Sequence, residues 1–420
     1  MTEHCGDDAF ATLKGYTARG GYSAARKALR SKPAELLELV ERSGLQSRGG
    51  MGLPTGAKWR CMPSERDGPS YLVCNAGESE PGSFKDRLLL ERAPHKLIEG
   101  ILIAAKATGA EKTFLYIRGE YFRAARAMER AIEEARSAGY LGKGRLRRRF
   151  AHDIVITRGA GAYICSEETA LLESLEGKRG EPRNRLPLPG GLHAFGRPTT
   201  VNDVETLCHL PHIVEHGVDW FRSFGTEQSP GTTLFGVSGH VVQPGLYELP
   251  LGTPLDEIVF EYARGIPHGR RVKGVIPGGL SMAILPAGQL NVPMANESLR
   301  ERKAMLGAGG LIVMDETTCM VRVACIISGF FRHESCGRCT QCREGAGWLH
   351  KLVQRLERGT GTRKDIAILE DVARKMEGQA ICGFADSAAW SIQGLLRHFR
   401  DDFDAHVRQR QCPFAGSFEL

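Results

Sequence analysis

Four cysteines have the type and the spacing to hold an iron–sulfur cluster. Cys336, Cys339 and Cys342 recur at every third residue, and Cys382 follows forty positions later. Three thiolates spaced in this way on one loop can converge on one face of a cubane, and a thiolate from elsewhere then closes a four-cysteine [4Fe–4S] site. Structural zinc more often uses two separated Cys-x-x-Cys pairs, and the second pair is missing here. The pattern therefore favours iron–sulfur over zinc and over incidental thiols.

The surroundings of these cysteines fit an anionic cluster. Gly337 suits a tight turn, and Arg338 and Arg343 add local positive charge. We expect helices to begin after Cys342 and after Cys382, so that their N-terminal N–H groups face the cluster.

The other eight cysteines have no comparable spacing, and the sequence gives none of them a metal partner. Most of them are predicted to act as small buried apolar side chains, namely Cys74, Cys165, Cys208, Cys319 and Cys325. The first ten residues do not look like a secretory signal, so twelve cysteines indicate a reducing compartment and metal or redox use.

A glycine-rich segment suggests a second kind of chemistry. It offers bare backbone N–H groups and two cations within eleven residues, which suits a phosphate-bearing ligand, although a plain surface loop is the alternative. Its candidate ligand contacts are Arg48, Gly49, Gly50, Gly52, Gly56 and Lys58.

A second glycine loop, Gly159-Ala-Gly161, follows a predicted strand and precedes a predicted helix. That context suits a nucleotide loop, but Ile164 occupies the place of the third glycine of the dinucleotide fingerprint, and no Walker lysine–serine ending is present. By itself the loop is weak evidence for the usual Rossmann mode of binding.

Two acidic pairs accompany these loops. They are Glu78 with Glu80, and Glu167 with Glu168. At a helix start, such carboxylates often interact favourably with the helix dipole. In a binding site they could accept hydrogen bonds from ribose hydroxyls or a carboxamide and repel a 2′-phosphate. The residues alone leave both interpretations open.

The elements that must position these groups predict three units. Strands over 71–75, 113–117 and 153–157 alternate with helices over 33–40, 94–107, 121–138 and 167–175, which indicates an α/β domain with a mostly parallel sheet over 1–228. Short apolar runs with one helix over 255–263 predict a small α+β domain over 229–315. Helical periodicity then predicts a bundle over 316–420, with two apolar faces: Trp348, Leu349, Leu352, Val353 and Leu356, then Trp390, Ile392, Leu395, Leu396 and Phe399.

Composition excludes several classes of protein. Hydrophobic residues make up 42% of the 420 residues, too many for a disordered chain, and no apolar run is long enough for a membrane span. The net charge of +7 permits an acidic partner but gives no reason to expect nucleic acid. Fifty-one glycines indicate close approaches of the backbone to a ligand.

Taken in order, the motifs resemble those of one family, the flavoprotein or F subunits of NADH-quinone oxidoreductase, which is respiratory complex I. The resemblance covers nearly the whole chain. The matching segments include Arg48-Gly-Gly-x-Gly-x-Pro-Thr-Gly-x-Lys-Trp59, Cys74-Asn-Ala-x-Glu-Ser-Glu-Pro-Gly82, Arg158-Gly-Ala-Gly-Ala-Tyr-Ile-Cys165, Pro198-Thr-Thr-Val-Asn202 and Glu334-Ser-Cys-Gly-x-Cys-x-x-Cys-Arg-Glu-Gly345.

The resemblance implies a Rossmann-like flavin domain, a ubiquitin-like domain of the SLBB type and a helical cluster domain. It also implies FMN, NADH as the substrate and one [4Fe–4S] cluster, with the flavin supplying the chemistry so that no protein acid or base is needed for hydride transfer. By the family pattern, FMN would be held by Arg48, Gly49, Gly50, Lys58, Asn75, Tyr163, Glu167, Asn202 and Thr206. NADH would be oriented by Glu78, Glu80 and Glu168.

The same resemblance implies partners and a location. The expected partners are a thioredoxin-like [2Fe–2S] subunit and the large iron–sulfur subunit of complex I, with the chain held at the cytoplasmic face of the inner membrane only through the complex. A diaphorase subunit of an NAD-linked hydrogenase or formate dehydrogenase is the first alternative. A paralogue with weakened or lost NADH oxidation, acting as a scaffold or relay, is the second.

Several positions depart from the family pattern, and they cluster at the nucleotide end. The family usually has Gly at Ser47 and Ser166, Asp at Gly77 and a second Asn at Asp203. Leu53, Cys61 and Leu188 stand where the family places aromatic residues around the adenine, and Arg185 stands for a nearby lysine. The phosphate-side residues Arg48, Gly49, Gly50 and Lys58 are all present, so we expect FMN to bind. Each lost aromatic contact is worth about 0.5–1.5 kcal/mol, so we expect NADH to bind more weakly than in typical members.

Overall fold

Two five-stranded sheets and a helical C-terminal region make up the molecule. The computed structural model describes residues 1–63, 68–142, 150–184 and 191–414. Arg185 and Leu188 lie outside the described residues. Within those ranges, no helix combines the length and the apolar character that crossing a bilayer requires.

The first sheet is parallel except at one edge. Its strands are β1 (Tyr71–Ala76), β2 (Lys112–Ile117), β3 (Asp153–Arg158), β4 (Leu192–Ala194) and β5 (Arg197–Asp203). They run in the order β3-β2-β1-β5-β4, and only β4 is antiparallel to its neighbour. Because β2 lies on one side of β1 and β5 on the other, the strand order reverses at β1.

Helices cover this sheet. The most buried of them has every residue except Lys106 inside the core. The helices of this region are α1 (Leu13–Ala18), α2 (Ser23–Ala28), α3 (Pro33–Ser43), α4 (Thr55–Arg60), α5 (Lys85–Arg92), α6 (Pro94–Thr108), α7 (Phe122–Ser137), α8 (Glu168–Leu175), α9 (Val204–His216) and α10 (Val218–Arg222). The predicted alternation of strands and helices is thus present, with element ends shifted by up to three residues.

The glycine-rich segment predicted as a loop contains a helix. α4 begins at Thr55 and packs on α3, which Gly56 makes possible: a Cβ at Gly56 would lie 2.8 Å from the Cα of Glu41. The structure therefore explains this glycine by the close packing of two helices.

The second sheet follows in sequence. Its strands are β6 (Thr232–Gly239), β7 (Gly245–Pro250), β8 (Val272–Ile276), β9 (Leu285–Pro286) and β10 (Gly310–Asp315), in the order β7-β6-β10-β8-β9. Only the β6–β10 pair is parallel. A short helix α11 (Leu255–Glu257) continues as a π-helical turn over Ile258–Tyr262, which matches the single predicted helix, and α12 (Asn296–Glu301) is an additional one.

The C-terminal region is helical, as predicted. It contains α13 (Met320–Glu334), α14 (Thr340–Glu357), α15 (Arg363–Met376), α16 (Phe384–His398) and α17 (Arg400–Gln409). Leu349, Val353 and Leu356 lie in its core, but Trp348 is 55% exposed, so its predicted place on the buried face was wrong. Trp348 lies at the border of the apolar stripe, one position before Leu349.

A buried ionic cluster joins the first sheet region to the second. The ammonium of Lys85 lies 2.9 Å from the carboxylates of both Asp86 and Glu205, and all three side chains are buried. Glu205 also accepts hydrogen bonds from the backbone N–H of Leu234 and the hydroxyl of Thr233, on β6. Burial alone would raise the pKa of Glu205, but Lys85 and the other neighbours lower it to about 2.

Removing the cation from this cluster should destabilise the fold strongly. Lys85→Met removes the ammonium that lies 2.9 Å from each of two buried carboxylates, and breaking such a pair costs about 3–5 kcal/mol. Urea unfolding of the FMN-loaded protein measures the loss, and Lys14→Met, at an exposed position, should change the free energy of unfolding by under about 0.5 kcal/mol. Equal stability of the two variants would contradict this account of the cluster.

Candidate flavin and iron–sulfur site

The carboxyl ends of the four parallel strands meet at one edge of the first sheet. Ligands of open α/β sheets bind at this edge, beside the point where the strand order reverses. Here that point lies between β1, which ends at Ala76, and β5, which ends at Asp203. The loops that leave these strands contain most of the predicted site residues.

The glycine-rich segment is fastened to the start of α9. The backbone N–H of Arg48 donates to the Thr206 hydroxyl at 2.9 Å, and the backbone N–H of Thr206 donates to Asp203 at 2.8 Å. The hydroxyl of Ser47 donates to the same Asp203 carboxylate at 2.8 Å. Thr206 and Asp203 therefore hold the glycine segment against the sheet edge. Gly49 lies against Asp203 as well, since a Cβ there would lie 3.1 Å from the Cβ of Asp203.

The guanidinium of Arg48 spans the two sheet regions. Its Nε donates to the Thr232 carbonyl at 3.2 Å and its Nη2 to the Pro230 carbonyl at 2.8 Å. Burial lowers the pKa of Arg48, although Glu205 and Asp203 oppose that effect. Its third nitrogen, Nη1, is buried and has no hydrogen-bond partner among the described residues.

Further buried polar atoms at this edge are also unsatisfied. Asn202 accepts a hydrogen bond from the Trp59 indole at 3.0 Å, yet its amide nitrogen donates to nothing in the described part of the chain. The same holds for the hydroxyls of Thr55 and Ser79, and for that of Thr200, which lies within β5 three residues before its end. Because buried polar atoms normally have partners, these atoms fit the polar groups of a bound ligand.

Asn75 and Glu78 accept hydrogen bonds from backbone N–H groups in the loop after β1 and at the start of α5. The side chain of Asn75 accepts from the Gly77 N–H at 3.0 Å. Glu78 accepts from the backbone N–H groups of Lys85, Asp86 and Arg87, so it caps α5. Glu78 also accepts from the Tyr121 hydroxyl at 3.0 Å, which leaves its carboxylate well satisfied within the protein.

Glu80 lies deeper. It accepts hydrogen bonds from the Tyr163 hydroxyl at 2.6 Å and from the Ser281 N–H at 2.7 Å, and burial raises its pKa. The Glu80 carboxylate thus connects three loops: its own after β1, that of Tyr163 after β3 and that of Ser281 after β8.

The second glycine loop turns tightly after β3. Gly161 has φ +86°, and a Cβ there would lie 2.5 Å from the Glu120 carboxylate. The turn brings Tyr163 onto the C-terminal helices: its N–H donates to Glu334 at 2.9 Å, and its ring centroid lies 4.9 Å from that of Phe330 and 5.8 Å from that of Phe384.

Glu167 and Glu168, the second acidic pair, have different partners. Glu167 is the N-cap of α8 and accepts from the Ala170 N–H at 2.9 Å. Glu168 forms an ion pair with Lys58 of the glycine-rich segment. Ser166, where the family has glycine, is exposed, and its hydroxyl donates to the Tyr163 carbonyl at 2.8 Å.

The four cysteines of the predicted cluster lie together. Burial raises the pKa of Cys342, and the neighbouring thiols of Cys336 and Cys339 contribute to the same shift. Burial raises the pKa of Cys382 to about 12, with Glu167, Cys342 and Cys336 among the nearby groups. Four cysteine thiols in one neighbourhood match the number and type of ligands that a [4Fe–4S] cluster requires.

The helix starts near these thiols differ partly from expectation. α16 begins at Phe384, shortly after Cys382, as predicted. α14 begins at Thr340, so Cys342 lies in its first turn and the predicted start after Cys342 was wrong. The reason is that Cys339 occupies the N-cap position, which leaves Gly337, at φ +84°, as the turn before the helix.

The cysteine loop is anchored to the segment that follows α8. Arg179 donates to the Cys336 carbonyl at 2.7 Å, and Arg338 donates to the Pro182 carbonyl at 2.7 Å. Together with the contact between Tyr163 and Glu334, these bonds place the cluster cysteines beside the loop that runs from β3 to α8.

Sequence reasoning missed several residues of this site. Trp59, Thr55, Ser79, Thr200 and Glu334 were not singled out by role, although each stands within one of the family motifs, close to a predicted residue. Thr200 could have been found from strand alternation, because it lies two residues before Asn202 on β5 and so on the same face of the sheet.

Two family models match the chain. The model described as the Nuo51 FMN-binding domain matches residues 40–212, and the model described as the NADH-ubiquinone oxidoreductase-F iron-sulfur binding region matches residues 322–406. The F 2 subunit of NADH-quinone oxidoreductase from Rhizobium meliloti (strain 1021) is 51% identical over 403 residues, 96% of each chain. The chain belongs to the family of NADH-quinone oxidoreductase F subunits. The F subunit of Mycobacterium tuberculosis (strain H37Rv) is 46% identical over 408 residues, covering 96% of this chain and 92% of that one.

A solved structure has the same fold. A chain of the NAD⁺-reducing [NiFe]-hydrogenase in the air-oxidized state superposes with a TM-score of 0.82 at 40% identity, over 90% of this chain and 63% of that chain. This member of the F-subunit family is thus an oxidoreductase subunit with an FMN-binding domain and an iron–sulfur region, as the sequence predicted. The residues that bind each cofactor remain predictions.

Two departures from the family pattern, Ser47 and Asp203, should be energetically coupled because they share a hydrogen bond. A hydrogen bond to a charged group contributes about 1.5–3 kcal/mol when buried, and less for the half-buried Ser47. We expect Ser47→Gly and Asp203→Asn together to cost about 0.5–1 kcal/mol less in free energy of unfolding than the sum of the single variants.

A matched control uses Ser223, whose hydroxyl donates to the Trp220 carbonyl instead. Ser223→Gly combined with Asp203→Asn should be additive in urea unfolding. Additivity of the Ser47 pair as well would show that its hydrogen bond has no energetic role.

Proposed function

We propose that this chain is the NADH dehydrogenase flavoprotein subunit of a complex I-type enzyme and sends electrons toward quinone. The observation that carries the proposal is the position of the loop from Gly159 to Glu168. Through Tyr163 this loop contacts Glu80, at the carboxyl edge of the first sheet where we place the flavin, and also α13 and α16, which flank the cysteines. When bound, FMN would accept hydride from NADH and the [4Fe–4S] cluster would take up single electrons.

The division of the chain into domains belongs to the same proposal. Residues 1–228 form the Rossmann-like FMN- and NADH-binding domain, 229–315 the ubiquitin-like domain, and 316–420 the helical cluster domain. The parallel sheet with the order β3-β2-β1-β5 supports the first assignment, and the small mixed sheet with β6 and β10 parallel at its centre supports the second.

For FMN, the chain supplies a polar cradle at the sheet edge. The unsatisfied nitrogen of Asn202 and the unsatisfied Nη1 of Arg48 are donors suited to an anionic or carbonyl-rich ligand. Gly49 and Gly50 leave part of the backbone of the glycine-rich segment accessible, Gly52 packs against Asn296, and Thr206 fixes the segment in place. Asn75, Gly161, Tyr163 and Glu167 complete the proposed set, with Gly56 and Lys58 shaping the segment from α4.

For NADH, the acidic residues are positioning residues. Glu80 is fixed by Tyr163 and Ser281, and Glu168 by Lys58, so their carboxylates are held in place before a ligand arrives. Glu78 caps α5 and thereby shapes the loop beside them. Carboxylates at this place would accept hydrogen bonds from ribose and disfavour a 2′-phosphate.

For the [4Fe–4S] cluster, we propose Cys336, Cys339, Cys342 and Cys382 as the ligands. Partners follow from the family: a thioredoxin-like [2Fe–2S] subunit and the large iron–sulfur subunit of complex I, which would hold the chain at the cytoplasmic face of the inner membrane. A diaphorase subunit is the second candidate, favoured by the 40% identity to the NAD⁺-reducing hydrogenase chain. The chains that co-purify with the native protein decide between the two.

Anaerobic titration with NADH tests the function. The flavin absorbance of the purified chain should bleach on addition of NADH and should respond far less to NADPH, because the carboxylates repel its additional phosphate. Leu53→Phe should tighten NADH by up to about tenfold, since one restored aromatic contact is worth about 0.5–1.5 kcal/mol.

Met51→Phe is the matched control, because Met51 is exposed on the same segment two residues away. It should leave the dissociation constant for NADH unchanged. A flavin that binds but never bleaches with NADH would instead support a paralogue that has lost NADH oxidation.

Loss of one cluster ligand should remove iron selectively. Cys382→Ser is expected to lower iron from about four per chain to well below that number while FMN content stays constant, because the proposed FMN-binding residues lie on other segments of the chain. Iron and flavin analysis after anaerobic reconstitution measure both, with Cys5→Ser as a buried-cysteine control. Iron content unchanged by Cys382→Ser would remove Cys382 from the ligand set.

A further inference from the structure

A second group of metal-ligating side chains lies at the far end of the helical region. The ligand atoms of Cys319, Glu357, His406 and Cys412 all lie within 4.8 Å of one another. Cys319 is the N-cap of α13, Glu357 is the last residue of α14, His406 lies on α17 and Cys412 follows α17. Three segments of the chain thus converge on one point: the start of α13, the end of α14, and α17 with the residues that follow it.

The separations match a tetrahedral ion. The sulfur of Cys319 lies 3.4 Å from Nε2 of His406, and that nitrogen lies 3.6 Å from Oε2 of Glu357. In a tetrahedral zinc site with ordinary bond lengths, neighbouring ligand atoms are about 3.4–3.8 Å apart. Two sulfurs, one imidazole nitrogen and one carboxylate oxygen form a borderline-soft donor set that suits Zn²⁺ rather than Ca²⁺ or Mg²⁺.

The imidazole is already oriented as a ligand. Nδ1 of His406 lies 2.7 Å from the Asp402 carbonyl, and because a carbonyl can only accept, Nδ1 carries the proton. Nε2 therefore presents its lone pair to the group. A histidine whose second nitrogen donates to a carbonyl is the usual outer-shell arrangement at metal sites.

Hydrogen bonds also position the Glu357 carboxylate and the Cys319 sulfur. Arg322 donates to Oε1 of Glu357 at 3.1 Å, whereas Oε2 is buried and has no hydrogen-bond partner among the described residues. The backbone N–H of Arg322 donates to the sulfur of Cys319 at 3.4 Å, a bond that favours a thiolate. One oxygen is thus held while the other faces the group.

The backbone brings Cys412 into place through a tight contact. Gly359, just after α14, lies so close to the Arg410 carbonyl that a Cβ would fall 1.9 Å from that oxygen. Arg410 itself has φ +53°, a left-handed conformation that turns the chain back at the end of α17. This reversal returns the chain toward the end of α14, where Glu357 lies.

We propose that Cys319, Glu357, His406 and Cys412 bind one structural Zn²⁺. The two thiols release their protons to solvent on binding. The ion then links Cys412, after α17, to His406 on α17, to the start of α13 and to the end of α14. The site is distinct from the cysteine cluster, because Cys342 and Glu357 are at opposite ends of α14, roughly 22 Å apart at 1.5 Å per residue. The proposal does not depend on the electron-transfer function.

Metal analysis of the purified full chain tests the site. Wild type should contain about one zinc per chain in addition to its iron, and His406→Ala or Cys412→Ser should bring zinc near zero with iron unchanged. Cys382→Ser should do the reverse, losing iron and keeping zinc. Cys5→Ser, which removes a buried thiol elsewhere, should change neither metal.

A measurement on wild type guards against variants that fail to fold. Replacing zinc by Co²⁺ should give the intense visible bands of tetrahedral cobalt with thiolate ligands, absent from Cys412→Ser. Three results would overturn the proposal: no zinc in wild type with no tetrahedral cobalt spectrum, iron in place of zinc at these residues, or a Cys319–Cys412 disulfide found by alkylation of the unreduced chain.

Discussion

The contact between Tyr163 and Glu80 fixes the relative positions of the three regions of the molecule. Glu80 leaves the first sheet after β1, and it is bound at once by the Tyr163 hydroxyl and by the N–H of Ser281 from the second sheet region. The N–H of Tyr163 is bound by Glu334 at the end of α13. Since Glu334 precedes Cys336 by two residues, the same contact sets where the cysteine loop begins.

Burial gives this contact its rigidity. The side chain of Tyr163 is buried, and its ring packs on Phe330 and Phe384. In such surroundings a hydrogen bond is electrostatically stronger than in water, and an unpaired partner would be costly. A flavoprotein that must deliver electrons to a neighbouring cluster gains from this arrangement, because a hydrogen bond and ring contacts tie the loop after β3 to the helices that flank the cysteines.

The sequence predicted what depends on local pattern and missed what depends on distant contacts. The strands ending at Ala76 and Ile117, and the helices from Pro94 to Thr108 and from Phe122 to Ser137, follow from periodicity and their flanking residues, whereas the strand that ends at Asp203 was not predicted. The group at Cys319 could not be anticipated, because its four members are separated by up to 93 positions (412 − 319) and share no motif. The packing of α17 against the start of α13 and the end of α14 brings them together.

The same distinction applies to Ser47 and Asp203. Considered one at a time, each residue departs from the family pattern near the place proposed for the flavin. Each by itself suggests a damaged site. In the structure the two side chains are hydrogen-bonded to each other, and Asp203 still caps α9. The two departures therefore contact each other directly, which isolated positions in the sequence cannot reveal.

The placement of carboxylates constrains where a phosphate can bind. A helix N-terminus at the carboxyl edge of a parallel sheet is the usual anion site, because its free N–H groups and dipole attract negative charge. Here three such N-termini are already occupied by side chains of the same sign: Glu78 caps α5, Glu167 caps α8 and Asp203 caps α9. A phosphate at any of them would have to displace a carboxylate and lie beside its charge. The glycine-rich segment at the same edge carries Arg48, whose Nη1 has no hydrogen-bond partner among the described residues, so the carboxylate caps favour that segment over the three helix starts as the place for a phosphate.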